Sequence, residues 1–192
     1  MTEFMPGGRR RVDRVLAPDF LVGLSELGLD EVRARRAEAE QEEVDLSYAR
    51  RLLQGRLDIL RAEQDSRETD GGMIREPRTD VEIVGALARI LADGGPRTDH
   101  GMGRYLGSVE PTRVGEHRRE AERAVADVGS SDLAAMSDAV LAEAVEHLGD
   151  IETRVSRTRR RVQAVVDTLT EEIARRYATG EIAIVLSDGV SR

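Results

Sequence analysis

Two stretches of the chain carry hydrophobic residues at alternating spacings of three and four positions, the pattern of a helix with one narrow apolar face. No proline interrupts either stretch. The seam of the second stretch consists of Leu148, Ile151, Val155, Thr158, Val162, Val165 or Val166, Leu169 and Ile173. In the first stretch the same spacing recurs at Leu46, Ala49, Leu53, Leu57 and Leu60. The pattern predicts long helices over about 30–68 and 138–178, each with a seam that it cannot bury alone.

Residues at the ends of the two stretches support these limits. Asp30 and Ser137 are suited to cap a helix N-terminus, and Gly180 is suited to a C-terminal stop. Shorter helices are predicted over 79–92 and 116–127, with a short amphipathic piece over 20–27. The Gly-rich stretch Gly95–Val114 lacks the spacing of a nucleotide fingerprint and the strand that would precede one, so we expect a mobile or partner-binding loop there.

Together these elements predict an all-α protein: a long antiparallel two-helix coiled coil with short middle helices and a Gly-rich loop. We expect one helical coiled-coil domain over 18–180, a disordered N-terminal arm over 1–17 and a flexible tail over 181–192. Antiparallel pairing is favoured because it is more compact. The roughly 70 residues that join the two helices would also permit a parallel pair.

Composition fits an elongated helical protein better than a compact α/β or β domain. Aromatic residues are 3% of the chain, too few to fill such a core, whereas charged residues are 34%. There is no Cys, which excludes disulfides and thiol chemistry. No apolar run is long enough to span a bilayer and no signal peptide is evident, so we expect a cytoplasmic protein without a membrane partner.

The formal net charge of −8 argues against nonspecific coating of nucleic acid. All 29 basic residues are Arg, which favours phosphate or guanine recognition but is also typical of a GC-rich genome. DNA binding through the Arg-rich segment 157–161 is a rival hypothesis, but these side chains spread around the helix. We expect no direct DNA binding.

One polar motif of five residues occurs in both long helices. Its last four residues each follow a seam position immediately, and its first residue, a Glu, lies one turn before them. The first copy is Glu43, Ser47, Arg50, Gln54 and Asp58, and the second is Glu152, Ser156, Arg159, Gln163 and Asp167. At about 100° per residue, the five side chains of each copy fall within an arc of about 80° and form a stripe about 22 Å long. Arg51 and Arg160 correspond to each other at the edge of the stripe.

Solvated charges at the flank of a coiled coil are the ordinary explanation for such residues. That explanation predicts variety between two copies, whereas the two sets here are identical and in the same order. An Arg fork can bind phosphate or the O6 and N7 edge of guanine, and a carboxylate can accept from guanine N–H groups. In an antiparallel pair the two stripes would favour an anionic, guanine-bearing ligand with two-fold symmetry.

The motif Glu-x3-Ser-x2-Arg-x3-Gln-x3-Asp, complete in both copies, resembles the signature of the RsiG family of anti-sigma factors from sporulating actinobacteria. The resemblance extends broadly from Leu21 to Gly180 and includes the sequence from Glu43 to Glu63. It implies that the two motif helices bind an intercalated dimer of cyclic-di-GMP, two molecules per chain and without a metal. It also implies that the loaded protein sequesters WhiG, a flagellar-type sigma factor that controls sporulation genes, as a monomer in a 1:1 complex.

The resemblance assigns all ten motif residues to the cyclic-di-GMP site, and the position of Arg51 and Arg160 beside the stripe makes them candidate edge contacts. Within that site we expect Arg50 and Arg159 to contribute the strongest contacts, through their charge. Asp58 and Asp167 would contact guanine, and Ser47 and Ser156 would contact phosphate or orient an Arg. The remaining residues would hold the Arg side chains in position: Glu43, Glu152, Gln54 and Gln163.

Other functional classes are less well supported. The three His residues, His100, His117 and His147, have no metal-ligand spacing, and no catalytic set is placed in an expected cleft, so we do not expect an enzyme. A nucleotide-independent coiled-coil scaffold or anti-sigma protein is the main alternative. The response of sigma-factor binding to nucleotide distinguishes the two.

Overall fold

A computed structural model describes residues 3–69, 110–112, 115–128 and 133–180 of the 192-residue chain. These ranges contain no strand, and their four α-helices are α1 (Arg11–Val15), α2 (Leu29–Thr69), α3 (Glu116–Asp127) and α4 (Asp138–Ala178). A short 3-10 turn at Leu133–Ala135 precedes α4. The predicted all-α fold class is confirmed.

The two long helices are each 41 residues long and begin and end within two residues of the predicted positions. The Ser137 hydroxyl accepts a hydrogen bond from the Val140 backbone N–H at 3.3 Å, as expected of a helix N-cap. Gly180 follows α4 with a φ of 72°, the left-handed conformation of a C-terminal stop. Asp30 lies inside the first turn of α2 instead of at its cap, because the helix begins one residue earlier.

The chain divides into two compact units, and both long helices contribute to each of them. Among the described residues, the first unit contains 3–50, 110–112, 115–120 and 153–180. Arg33 contacts Tyr177 in this unit, and further along α2 Glu43 contacts Arg159, so the two helix segments run antiparallel. The seam residues of both segments are buried, including Leu46, Ala49, Val155, Thr158, Val162 and Leu169.

The second unit contains the described residues 51–69, 121–128 and 133–152. Gln54 contacts Glu152, and Arg67 contacts Asp138, so the helix segments of this unit are also antiparallel. Its buried core includes Leu53, Leu57, Leu60, Leu141, Leu148 and Ile151. The heptad spacing thus placed the seam residues of both helices correctly.

Residues 3–17 pack around a buried carboxylate, in the segment where the sequence predicted a disordered arm over 1–17. Val12 and Val15 of α1 are buried. Asp13 accepts hydrogen bonds from the Arg10 guanidinium at 2.7 and 2.8 Å and from the Met5 backbone N–H at 2.8 Å. The Arg10 side chain, aided by the Met5 N–H, lowers the pKa of Asp13 to about 2. The partners that order this segment are too few and too specific to give a periodic pattern.

A buried polar cluster attaches the segments before and within α3 to α2. Asp45 accepts hydrogen bonds from the Thr112 backbone N–H at 2.6 Å and from its hydroxyl at 2.8 Å. His117 of α3 bonds through Nε2 to Glu42, and both side chains are buried. Arg11 adds a contact of 3.0 Å from α1 to the same Asp45 carboxylate. Apart from His117 Nδ1, which has no hydrogen-bond partner among the described residues, this cluster satisfies polar groups that would otherwise be costly to bury.

Several sequence predictions fall outside the described residues. They are the helix over 79–92, the Gly-rich loop over Gly95–Val114 apart from 110–112, and the tail over 181–192. Residues 20–27 form turns where a short amphipathic piece was predicted. Among the described helices, none combines the length and the hydropathy that crossing a membrane requires.

Candidate functional site

The ten motif residues lie along the edge of the buried seam in both long helices. Nine of them are half-buried, and Asp58 is exposed. Each follows a buried seam residue or lies one turn before that set, which places its polar group beside the apolar contact between helices. Seven belong to the first unit and three, Gln54, Asp58 and Glu152, to the second.

In the first unit the Glu43 carboxylate connects the two helices. One of its oxygens, Oε1, accepts hydrogen bonds from Ser47 Oγ at 2.9 Å, Arg159 Nη1 at 3.0 Å and Gln163 Nε2 at 3.2 Å. The Arg159 and Glu43 side chains are 21% and 13% exposed, so their ion pair is largely shielded from solvent. The carboxylate therefore holds three motif side chains, two of them from the opposite helix.

In the second unit the two motif copies again contact each other through a Gln and a Glu. Gln54 Nε2 donates a hydrogen bond of 3.0 Å to Glu152 Oε1. In each unit, then, the Gln of one motif copy binds the Glu of the other copy. A solvated coiled-coil flank has no need of this reciprocity, because its polar groups are satisfied by water.

The remaining motif residues differ in their surroundings. Arg50, Ser156 and Asp167 are half-buried and each has an interaction partner in the protein. The Nε atom of Arg159 is buried and has no hydrogen-bond acceptor among the described residues. Arg51 and Arg160 are exposed. No group of three or more acidic or His side chains in the described ranges is placed to hold a metal ion.

Two Arg clamps, one in each unit, were not predicted from the sequence. In the second unit Arg67 donates to the carbonyls of Leu133 and Met136 at 2.6 and 2.7 Å. In the first unit Arg176 donates to the carbonyls of Leu27, at 2.8 Å, and Leu24. Each clamp thus fastens the end of one long helix to the residues that precede the other.

A carboxylate one turn earlier supports each clamp. Glu63 lies 2.9 Å from Arg67, and Glu172 lies 2.7 Å from Arg176. Hydrogen bonds from Arg175 and Arg176 lower the pKa of Glu172 to about 2. Asp138 and Glu63 raise the pKa of Arg67 above its ordinary value.

The clamps repeat with the same offset as the motif. Arg176 follows Arg67 by 109 positions, and Glu152 follows Glu43 by the same interval. The two 41-residue helices, which begin at Leu29 and Asp138, share this offset as well. Extending the motif alignment along both helices would have revealed the second Glu-x3-Arg pair. The internal repeat of the chain therefore extends beyond the motif.

Comparison with known protein families identifies one match that covers most of the chain. The profile of the RsiG-like family matches residues 18–91 and 127–191, well over half of the 192 residues. Both long helices, all ten motif residues and both Arg clamps lie inside the matched ranges. No curated protein sequence gives a significant match.

Proposed function

The chain belongs to the RsiG-like family of anti-sigma factors, and from this we propose that it binds its sigma factor under the control of cyclic-di-GMP. The observation that carries the proposal is the complete motif present twice, with the Gln of each copy bound to the Glu of the other. The family is regulatory and not enzymatic. The proposed partner is a flagellar-type sigma factor similar to WhiG, and such a partner would place the protein in the cytoplasm.

The chemistry of the motif side chains fits a cyclic dinucleotide. Arg50 and Arg159 supply guanidinium forks that match phosphate or guanine, and Asp58 and Asp167 supply carboxylates for guanine N–H groups. The buried Nε of Arg159 offers one donor that is still available in the described structure. We propose two cyclic-di-GMP molecules per chain, held without a metal ion.

Glu43 and Glu152 have a positioning role in this proposal. Glu43 binds Arg159 and Gln163 together, so it fixes the guanidinium before any ligand arrives. Preorganised side chains lose less conformational entropy on binding, which increases affinity. Binding of the dinucleotide would then favour the complex with the sigma factor, because an effector shifts an equilibrium only through different affinities for its two states.

Isothermal titration calorimetry with cyclic-di-GMP tests the ligand, with GTP and cyclic-di-AMP as controls. We expect selective binding near two dinucleotides per chain, and at least a tenfold loss of affinity in Arg50→Ala and Arg159→Ala. Arg154→Ala is the matched control, since Arg154 is an exposed residue of α4 outside the motif. If both motif variants stay within twofold of the unsubstituted protein, the assignment of the site is wrong.

Size-exclusion chromatography with the sigma factor, with and without cyclic-di-GMP, tests the partner. We expect a 1:1 complex that requires the nucleotide. One observation favours the alternative of a nucleotide-independent anti-sigma protein or scaffold: Glu43 already binds Ser47, Arg159 and Gln163 within the protein. Formation of an equally stable complex without nucleotide would support that alternative.

A further inference from the structure

The second unit contains a groove with an apolar floor between the end of α3 and the first half of α4. Its volume is about 510 Å³. The apolar floor is formed by Val128, Met136, Val140 and Ala144. Val140 is 49% exposed, so the floor includes apolar surface that a partner can contact.

Carboxylates surround this floor. The groove is lined by Asp127, Glu143, Glu146 and Asp150, with His147 beside them. None of these four carboxylates forms an ion pair with another described residue. These carboxylates are therefore not engaged in ion pairs within the described part of the protein.

The sequence around the groove also has a negative net charge. Residues 121–152 contain eight carboxylate side chains and one basic residue, Arg123. By contrast, residues 153–178 of α4 contain seven Arg and three carboxylates. The acidic character is therefore specific to this segment and is not a property of the whole helix. An apolar floor with a negative rim complements a helix that has apolar residues on one face and basic residues beside them.

The chain itself offers a poorer occupant. The segment 79–92 is apolar enough to be considered, but its charged residues are Asp80, Glu82 and Arg89. Its net charge has the same sign as the rim, which opposes docking. A basic segment of another protein is the better match.

The groove and the motif stripe use different sides of α4. Asp150 lines the groove and Glu152 belongs to the motif. Residues 150 and 152 project about 160° apart around the helix, so the Asp150 side of the groove faces away from Glu152. Ligand and partner can therefore occupy this unit together.

We propose that the groove docks a basic amphipathic helix of the sigma factor. A sigma factor binds DNA and so carries basic surfaces, which an acidic groove would recognise. The identity of the partner rests on the proposed anti-sigma function, whereas the kind of helix follows from the apolar floor and the acidic rim.

The absence of Cys from the chain makes a direct test available. Val140→Cys introduces one thiol on the groove floor, and Ala142→Cys introduces one at an exposed position of the same helix outside the groove. The rate of maleimide labelling is measured for both variants alone, with the sigma factor, and with the sigma factor and cyclic-di-GMP. We expect the complex to slow labelling of Val140→Cys at least tenfold and of Ala142→Cys less than twofold.

A second pair of variants tests the charge. Glu143→Gln combined with Glu146→Gln removes two rim charges, and Glu171→Gln is the control, an exposed carboxylate of α4 in the first unit. We expect the double variant to bind the sigma factor about fivefold more weakly, with a smaller salt dependence, while nucleotide binding is unchanged. The control should match the unsubstituted protein.

The outcomes separate this inference from the proposed function. If the complex forms and Val140→Cys labels at its free rate, the groove is not the docking site. If Val140→Cys is slow relative to Ala142→Cys in the free chain after both rates are divided by the thiolate fraction, a segment of the same chain occupies the groove and the inference is wrong.

If no complex forms, the anti-sigma function fails, and a synthetic Leu–Lys amphipathic helix then tests the groove. Protection of Val140→Cys by this peptide, but not by a scrambled one, would retain the groove as a site for basic helices. No protection would overturn it.

Discussion

Replacing Arg67 by Met removes one of the two Arg clamps while keeping most of the aliphatic stem. Arg67 donates to the half-buried carbonyls of Leu133 and Met136 at 2.6 and 2.7 Å, and also contacts Glu63 and Asp138. Asp138 is 86% exposed, so its ion pair contributes little. The two carbonyls are the larger loss, because the variant leaves them without their charged donor.

The magnitude follows from these contacts. Each hydrogen bond from a charged donor to a half-buried carbonyl contributes about 1–1.5 kcal/mol, and the pair with Glu63 adds about 0.5 kcal/mol. The free energy of unfolding should therefore fall by about 3 kcal/mol. For a chain of this length, that corresponds to a decrease in Tm of about 6–12 °C.

Circular dichroism at 222 nm during thermal and urea unfolding measures the effect. Arg61→Met is the matched control, since Arg61 is an exposed residue of the same helix, and its Tm should change by less than about 2 °C. Arg67→Lys should fall between the two, because it keeps the charge but loses the fork. A loss below about 1 kcal/mol in Arg67→Met would refute the view that the clamp stabilises this end of the unit.

Three further predictions concern stability. Ser137→Ala should lower the free energy of unfolding by about 1 kcal/mol, measured by urea titration, because the N-cap hydrogen bond to Val140 is lost. Leu53→Ala should cost about 2–5 kcal/mol in the same assay, since this seam side chain is fully buried. The lowered pKa values of Asp13 and Glu172 stabilise the fold above about pH 4.5, and this contribution should disappear as the pH falls toward about 2. Asp13→Asn should therefore flatten the acid limb of stability against pH, and an unchanged limb would contradict the role of that carboxylate.

Periodic features of the fold could be predicted from the sequence. The heptad spacing of Leu53, Leu57 and Val162 identified residues that the structure buries, because a long helix must place its apolar residues on one face. The repeat of the motif likewise identified polar residues that meet between helices, such as Glu43 and Gln163. Both the heptad seam and the repeated motif can be recognised from the spacing of residues alone.

Features that depend on tertiary contacts could not be predicted in this way. The α1 segment is ordered by Asp13 and by the contact from Arg11 to Asp45, whose partners lie 34 positions apart. The acidic groove depends on where α3 ends relative to α4, which no spacing specifies. The Arg67 clamp could be predicted only in part. Its repeat is visible in the sequence, but its acceptors are backbone carbonyls, which every residue possesses.

The contact between Glu43 and Arg159 has a consequence for selectivity among anions. Glu43 already neutralises the Arg159 charge, so this guanidinium neutralises little of a polyanion's charge and displaces few of the counterions condensed on that polyanion. Indiscriminate polyanions, such as polyphosphate or heparin, therefore gain little entropy there. Only a molecule that forms directed hydrogen bonds with the neighbouring side chains recovers the cost of disturbing the pair. The Glu43 carboxylate thus makes binding at Arg159 depend on the arrangement of the ligand's hydrogen-bonding groups more than on its total charge.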